Sequence, residues 1–144
     1  MKTGRRVAFD YGQVRIGVAA SDASGLIASP IATLLATDTH LSDQLQALFV
    51  EYEPIYIVVG EPKHLSGASN PSLMAAHVFA DRLRTLTDIP IHFVDERLST
   101  ISAAKNLRAA GHNAKSSKAK IDAMAAVAIL ESALERERIM GHLD

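Results

Sequence analysis

An apolar strand with a carboxylate inside it constrains this chain more than any other stretch. Val7-Ala8-Phe9-Asp10-Tyr11-Gly12 is followed, after a short turn, by Arg15-Ile16-Gly17-Val18-Ala19-Ala20. Two apolar runs so close together predict a hairpin of strands over residues 5–11 and 15–21. Alternation puts Val7, Phe9 and Tyr11 on one face and Ala8, Asp10 and Gly12 on the other. An unpaired charge inside a half-buried sheet is costly, so Asp10 needs a partner. A divalent cation with hard oxygen ligands is one candidate. A turn cap that binds a backbone N–H around Gly12 is the other. Gly17 leaves room for a backbone or ligand to approach closely.

The rest of the chain supplies layers for that hairpin to pack into. Residues 26–35 predict a third strand, and Pro30 restricts it to a sheet edge or a bulge. From about 39 to 52 the period changes, and Leu41, Leu45, Leu48, Phe49 and Tyr52 share one helical face. Ile55-Tyr56-Ile57-Val58-Val59-Gly60 is β-branched and apolar throughout, as in a strand covered on both faces. Asn70-Pro71 reads as an N-cap with Pro in the first turn, opening a helix to about Leu86 with Ala76, Phe79, Leu83 and Leu86 inward. Ile91-His92-Phe93-Val94 is a fifth strand. A helix capped by Ser99 or Thr100 stops before Gly111, residues 112–118 read as a polar loop, and a last helix covers about 119–138. Its inner face carries Asp122, Ala125, Ala126, Ile129 and Ala133. The order βββαβαβαα predicts an α/β fold: a mixed five-stranded sheet flanked by helices, with an antiparallel meander followed by parallel additions. No repeat or long linker divides it, so residues 1–144 read as a single domain.

Composition narrows the chemistry. There is no cysteine, which excludes disulfides and thiolate metal sites. The basic N-terminus leads into an apolar run broken by Asp10, unlike a signal peptide, and no unbroken apolar stretch is long enough to span a membrane. A soluble, cytoplasmic protein is expected. The net charge of −1 provides no overall basic field, so nucleic acid would have to bind a local patch.

Three acids are candidates to meet. Asp10 lies in the first strand, Asp95-Glu96 at the end of the fifth, and Asp122 on the inner face of the last helix. Ligands collect at the carboxyl ends of strands in open α/β sheets. Clustered carboxylates repel unless a cation joins them. With Mg²⁺ or Mn²⁺ they make an all-oxygen site, and two such ions about 4 Å apart can activate water and stabilise a leaving oxygen. Each acid also has a plain structural reading: Asp95 or Glu96 as a helix cap, Asp122 as a partner of Lys118.

The motifs carrying these acids resemble a known family. Phe9-Asp10-Tyr11-Gly12 with Arg15-Ile16-Gly17-Val18-Ala19, Val59-Gly60 before Pro62, Asp95-Glu96-Arg97-Leu98-Ser99-Thr100, and Lys120-x-Asp122-Ala123-x-Ala125-Ala126 occur in the order found in the YqgF family. These are Holliday-junction-resolvase-like proteins, also described as pre-16S rRNA nucleases. The resemblance covers nearly the whole chain. It implies a ribonuclease H-like fold and a metal-dependent nuclease that processes the 5′ end of pre-16S ribosomal RNA. It further implies that Asp10, Glu96 and Asp122 are the catalytic, metal-holding acids, with Mg²⁺ or Mn²⁺ as cofactor. Where the family usually reads Val-Gly-Leu-Pro, this chain has Glu61, a candidate fourth ligand or an exposed loop carboxylate.

From Lys105 to Ile121 there is no acid, and the basic residues lead into Asp122. Lys115, Lys118 and Lys120, with Arg15, Lys63 and Arg97, are the expected phosphate contacts, against a plain reading as a solvated face. Aromatic content of 5% without Trp makes base stacking a poor main grip. The six histidines show no metal-ligand spacing. The partner is structured RNA or branched DNA, with the chain acting as monomer or homodimer. Two other classes compete with the pre-rRNA nuclease and the related junction resolvase. One is a nucleotide-phosphate module like the first phosphate loop of actin-like ATPases, for which the chain lacks room for a second domain. The other is a non-catalytic nucleic-acid-binding protein of the same fold.

Overall fold

The computed structural model describes residues 1–62, 71–95 and 114–143, the side chains of 114–121 excepted. Among these residues there are five strands, β1 (Arg6–Tyr11), β2 (Arg15–Ser21), β3 (Ala28–Leu35), β4 (Tyr56–Glu61) and β5 (Ile91–Asp95). They form one sheet in the order β3-β2-β1-β4-β5. β1, β2 and β3 pair antiparallel, while β4 joins β1 and β5 joins β4 in parallel. This is the expected meander with parallel additions. Pro30 lies on the edge strand, opposite a register irregularity between Val18 and Ala19, so it is both at an edge and at a bulge.

Among the described residues three helices accompany the sheet: α1 (Leu41–Tyr52), α2 (Pro71–Leu86) and α3 (Ala114–Met140). The α2 boundaries match those expected from Asn70-Pro71. The last helix starts earlier than expected, taking in residues 114–118 that read as loop. No Gly or Pro interrupts this Ala- and Lys-rich stretch, and two serines do not outweigh its helix formers. The third strand starts at Ala28, because the Asp22 carboxylate draws the Leu26 and Ile27 amides into a turn. The helix expected after Ser99 or Thr100 lies outside the described residues.

The period-two pattern sorts the core into two layers. Val7, Phe9, Ile16, Val18, Ile57 and Val59 face α1 and α2, where Phe9 meets Phe49 and Phe79 edge-on. Ala8, Ala19, Val58 and Val94 face α3 and meet Ala126, Ile129, Leu130, Ala133 and Leu134. Small residues on both sides bring α3 close to the sheet. It runs antiparallel to β1, with Asp122 near the Asp10 end and Glu137 bonded to Arg6 at the other. No helix among the described residues is long and apolar enough to cross a membrane.

Candidate functional site

The two faces of the β1–β2 hairpin determine which acids can meet. Asp10 pairs across the strands with Gly17. The position a Gly17 side chain would take is already filled: a Cβ there would lie 1.8 Å from the backbone oxygen of Asp122. The absent side chain therefore lets α3 rest its backbone on β2 at the level of Asp10. Cross-strand neighbours project to the same face about 5 Å apart, so Asp10 points to the side where Asp122 arrives. Gly17 does not hold space open around Asp10, as close-approach glycines can. It is where the helix closes on the sheet.

The turn between the strands is closed by backbone. The Gly12 N–H donates to the Arg15 carbonyl at 2.9 Å, and a Cβ on Gly12 would meet that oxygen at 2.6 Å. The Gly12 amide thus has its partner without the Asp10 carboxylate. Asp10 is partly buried, near the carboxyl end of β1.

Arg15 shares the α3 face. Its Nε donates to Asp122 Oδ2 at 2.8 Å, with the two side chains 34% and 24% exposed. The partner of Asp122 in the structure is thus a residue of the hairpin. Arg15, expected at phosphate, here holds an acid, and nothing local in the sequence links residues so distant in the chain.

Glu61 sits elsewhere. It ends β4 with the parity of Ile57 and Val59, on the α2 side, and His77 of α2 contacts its carboxylate at 2.6 Å. The His77 ring stacks on Phe93 with centroids 4.3 Å apart. Asp95 is in register with Glu61 and shares its face. The pairing of Glu61 with His77 was not visible in sequence, since it depends on how α2 packs.

Glu96, Arg97 and Lys63 lie outside the described residues. Lys115, Lys118 and Lys120 fall in α3 just ahead of Asp122, and their side chains lie outside the description as well. Among the described residues no group of three or more His, Asp or Glu side chains is placed to hold a metal. What the described residues place on the α3 side of this end is two carboxylates, Asp10 and Asp122, with the Arg15 guanidinium on Asp122. That donor set suits Mg²⁺ or Mn²⁺, with the arginine standing where a cation is favourable.

A pocket of about 440 Å³ lies at the opposite end of the sheet, lined by Lys2, Tyr56, His92, Glu137 and His142 among others. Tyr56 donates to Glu137 Oε1 at 2.8 Å, and burial, reinforced by that carboxylate, raises the tyrosine pKa well above its ordinary value. Asp10 and Asp122 are not part of this pocket.

Known proteins resemble this chain in sequence and in fold. The model of the family described as "RuvX: Holliday junction resolvase" matches residues 4–136. A Streptomyces avermitilis protein is 41% identical over 143 residues, covering 98% of this chain and 92% of its own length. One from Clavibacter michiganensis subsp. michiganensis is 45% identical over 143 residues, covering 98% and 89%. Both bear the name "Putative pre-16S rRNA nuclease". Among solved structures, Thermus thermophilus RuvC in complex with Holliday junction substrate superposes with a TM-score of 0.58 at 11% identity, over 95% of this chain and 96% of that one. The likeness to RuvC concerns the fold, the ribonuclease H-like sheet with its flanking helices. By its match over nearly the whole sequence, the chain belongs to the RuvX (YqgF) family of Holliday-junction-resolvase-like nucleases.

Proposed function

We propose that this protein is a divalent-metal-dependent nuclease that processes the 5′ end of pre-16S ribosomal RNA, working as a single ribonuclease H-like domain in the cytoplasm. The observation that carries the reading is the seating of the Asp122 backbone on Gly17, opposite Asp10. It brings carboxylates from the two ends of the chain to the carboxyl end of β1, where ligands of such sheets collect.

Asp10 and Asp122 hold the metal, and Glu96 completes the set. The motif that carries the family resemblance favours Glu96 over its rivals, since Glu61 and Asp95 share a register and lie on the α2 side. Glu61 is also engaged by His77. Bound Mg²⁺ or Mn²⁺ supplies Lewis-acid polarisation of the scissile phosphate and activation of the attacking water. The protein's own part is to hold the acids in place and to grip the substrate backbone through Arg15, Lys63, Arg97, Lys115, Lys118 and Lys120. The names of the near-full-length relatives favour precursor RNA over branched DNA as substrate.

A cleavage panel tests this: 5′-extended precursor RNA, unstructured RNA and a four-way DNA junction, each with EDTA, Mg²⁺ or Mn²⁺. The precursor is cut with either metal and not in EDTA. Asp10→Asn, folded as judged by circular dichroism, lowers the rate by about a hundredfold or more, the scale of losing several kcal/mol of charge stabilisation. Cleavage by this variant at the wild-type rate would overturn the mechanism. Cutting of the junction alone would replace RNA processing with junction resolution.

A further inference from the structure

The hairpin sends two arginines to carboxylates of α3, and only one of the pairs is built to stay closed. Arg15 makes one described side-chain hydrogen bond, Nε to Asp122 Oδ2 at 2.8 Å, and the pair is 34% and 24% exposed. No other side-chain hydrogen bond among the described residues holds the Arg15 guanidinium there. It lies at the start of β2, beside the turn, on a long side chain open to solvent. Asp122 is the acid that the proposed function assigns to the metal, so guanidinium and divalent cation would compete for one carboxylate.

We propose that Arg15 is an exchange partner of the catalytic metal. Without metal, Arg15 holds the Asp122 carboxylate and offsets the charge that Asp10 and Asp122 bring together. When Mg²⁺ or Mn²⁺ takes that carboxylate, Arg15 is released toward solvent, where a substrate phosphate accepts its guanidinium. Arg15 thus links metal loading to nucleic-acid affinity. By linkage, metal then strengthens substrate binding, and substrate strengthens metal binding by the same factor. The inference rests on the metal-dependent reading of Asp10 and Asp122.

The test uses the full chain and reads binding rather than turnover. Mg²⁺ is titrated calorimetrically into wild type, Arg15→Gln, Asp10→Asn and Arg5→Gln. Arg5 is a control cation that lies over the Tyr52 ring, away from Asp122. Arg15→Gln is expected to bind Mg²⁺ about two- to fivefold more tightly than wild type, the range set by an exposed ion pair. Arg5→Gln should match wild type, which separates exchange from a general change in charge. In the wild type, the Arg15 Nε–Hε resonance should move toward that of a free guanidinium during the titration. Equal or weaker Mg²⁺ binding by Arg15→Gln, or an unmoved Arg15 resonance at saturation, overturns the exchange. If wild type binds Mg²⁺ and Asp10→Asn does not, that failure leaves the metal reading standing. If wild type binds no Mg²⁺, both fall.

Discussion

The two arginine–carboxylate pairs that strap the β1–β2 hairpin to α3 share their chemistry and differ in their surroundings. Arg6 and Glu137 meet at 3.0 Å with side chains 0% and 6% exposed. The Arg6 guanidinium also donates to the carbonyls of Gly4 and Lys2 and lies over the Tyr56 ring, while Tyr56 donates to the other Glu137 oxygen. Its backbone N–H donates to Ser21 Oγ. Its Nε is left without a partner among the described residues. Arg15 and Asp122 lie fifteen helical residues away, about 22 Å along α3, with one described hydrogen bond and open access to water. A desolvated pair surrounded by further acceptors cannot open without stranding a charge. A half-exposed pair can open at little cost, because water takes over. The first fixes where α3 lies along the sheet. The second leaves a carboxylate that can change partners.

The sharpest way to break this contrast is to cut each pair in turn. Glu137→Ala strands the Arg6 charge in the interior and should destabilise the protein by about 3–5 kcal/mol. Asp122→Asn should cost no more than about 1 kcal/mol. Urea unfolding of both variants without metal measures the difference. Equal losses would show that burial does not distinguish the two pairs.

How far the sequence revealed these features depends on whether their causes are local. Period-two alternation placed Asp10 opposite Phe9, and Pro30 marked the edge, because strand geometry and proline's missing N–H act at the residue itself. Gly17 signalled a close approach, though not that the α3 backbone would be what approaches. The start of α3 has no clear local mark, because Ser116 and Ser117 resemble loop residues in isolation, while the helix answers to the whole stretch. The pairs Arg15–Asp122, Glu61–His77 and Arg6–Glu137 are tertiary facts with no local mark. Arg6 did carry one available signal. A charge at the start of an apolar strand demands a partner as Asp10 does, although the strand itself does not say which acid answers it. Glu96, with the motif that best identifies the family, lies outside the described residues, so its proposed place in the site rests on resemblance.

Gly17 separates packing from charge at the same end of the sheet. Gly17→Ala puts a methyl 1.8 Å from the Asp122 carbonyl, and a backbone atom cannot swing aside as a side-chain tip does. The helix must lift, at about 1–3 kcal/mol for such overpacking. The loss should exceed that of Asp122→Asn and fall below that of Glu137→Ala. Because the lift moves Asp122 away from Asp10, Mg²⁺ affinity should drop as well. Undiminished affinity in a destabilised Gly17→Ala would mean that Asp122 does not depend on this seat for its position.

The smallest effect sharpens the contrast from the Arg6 end. Asp22 is exposed, and its carboxylate accepts from the Ser24 hydroxyl and from the Ile27 and Leu26 amides at 3.0 and 2.9 Å. These bonds, that from Ser24 foremost, lower its pKa from 3.8 to about 2. The turn they hold carries Gly25, whose backbone lies against the Arg6 guanidinium and whose carbonyl accepts from Arg138 at 3.2 Å. A pKa depressed in the folded state contributes stability that is fully present above 3.8 and is lost as pH falls through about 2. Asp22→Asn should therefore unfold at lower urea than wild type above pH 3.8, with the gap closing toward pH 2. Since the turn covers the Arg6 end, the variant should leave Mg²⁺ affinity, at the site proposed around Asp10 and Asp122, unchanged. A gap that persists below pH 2 would mean that the asparagine is unfavourable for reasons other than charge. A shift in Mg²⁺ affinity would mean that the two ends of α3 are not independent.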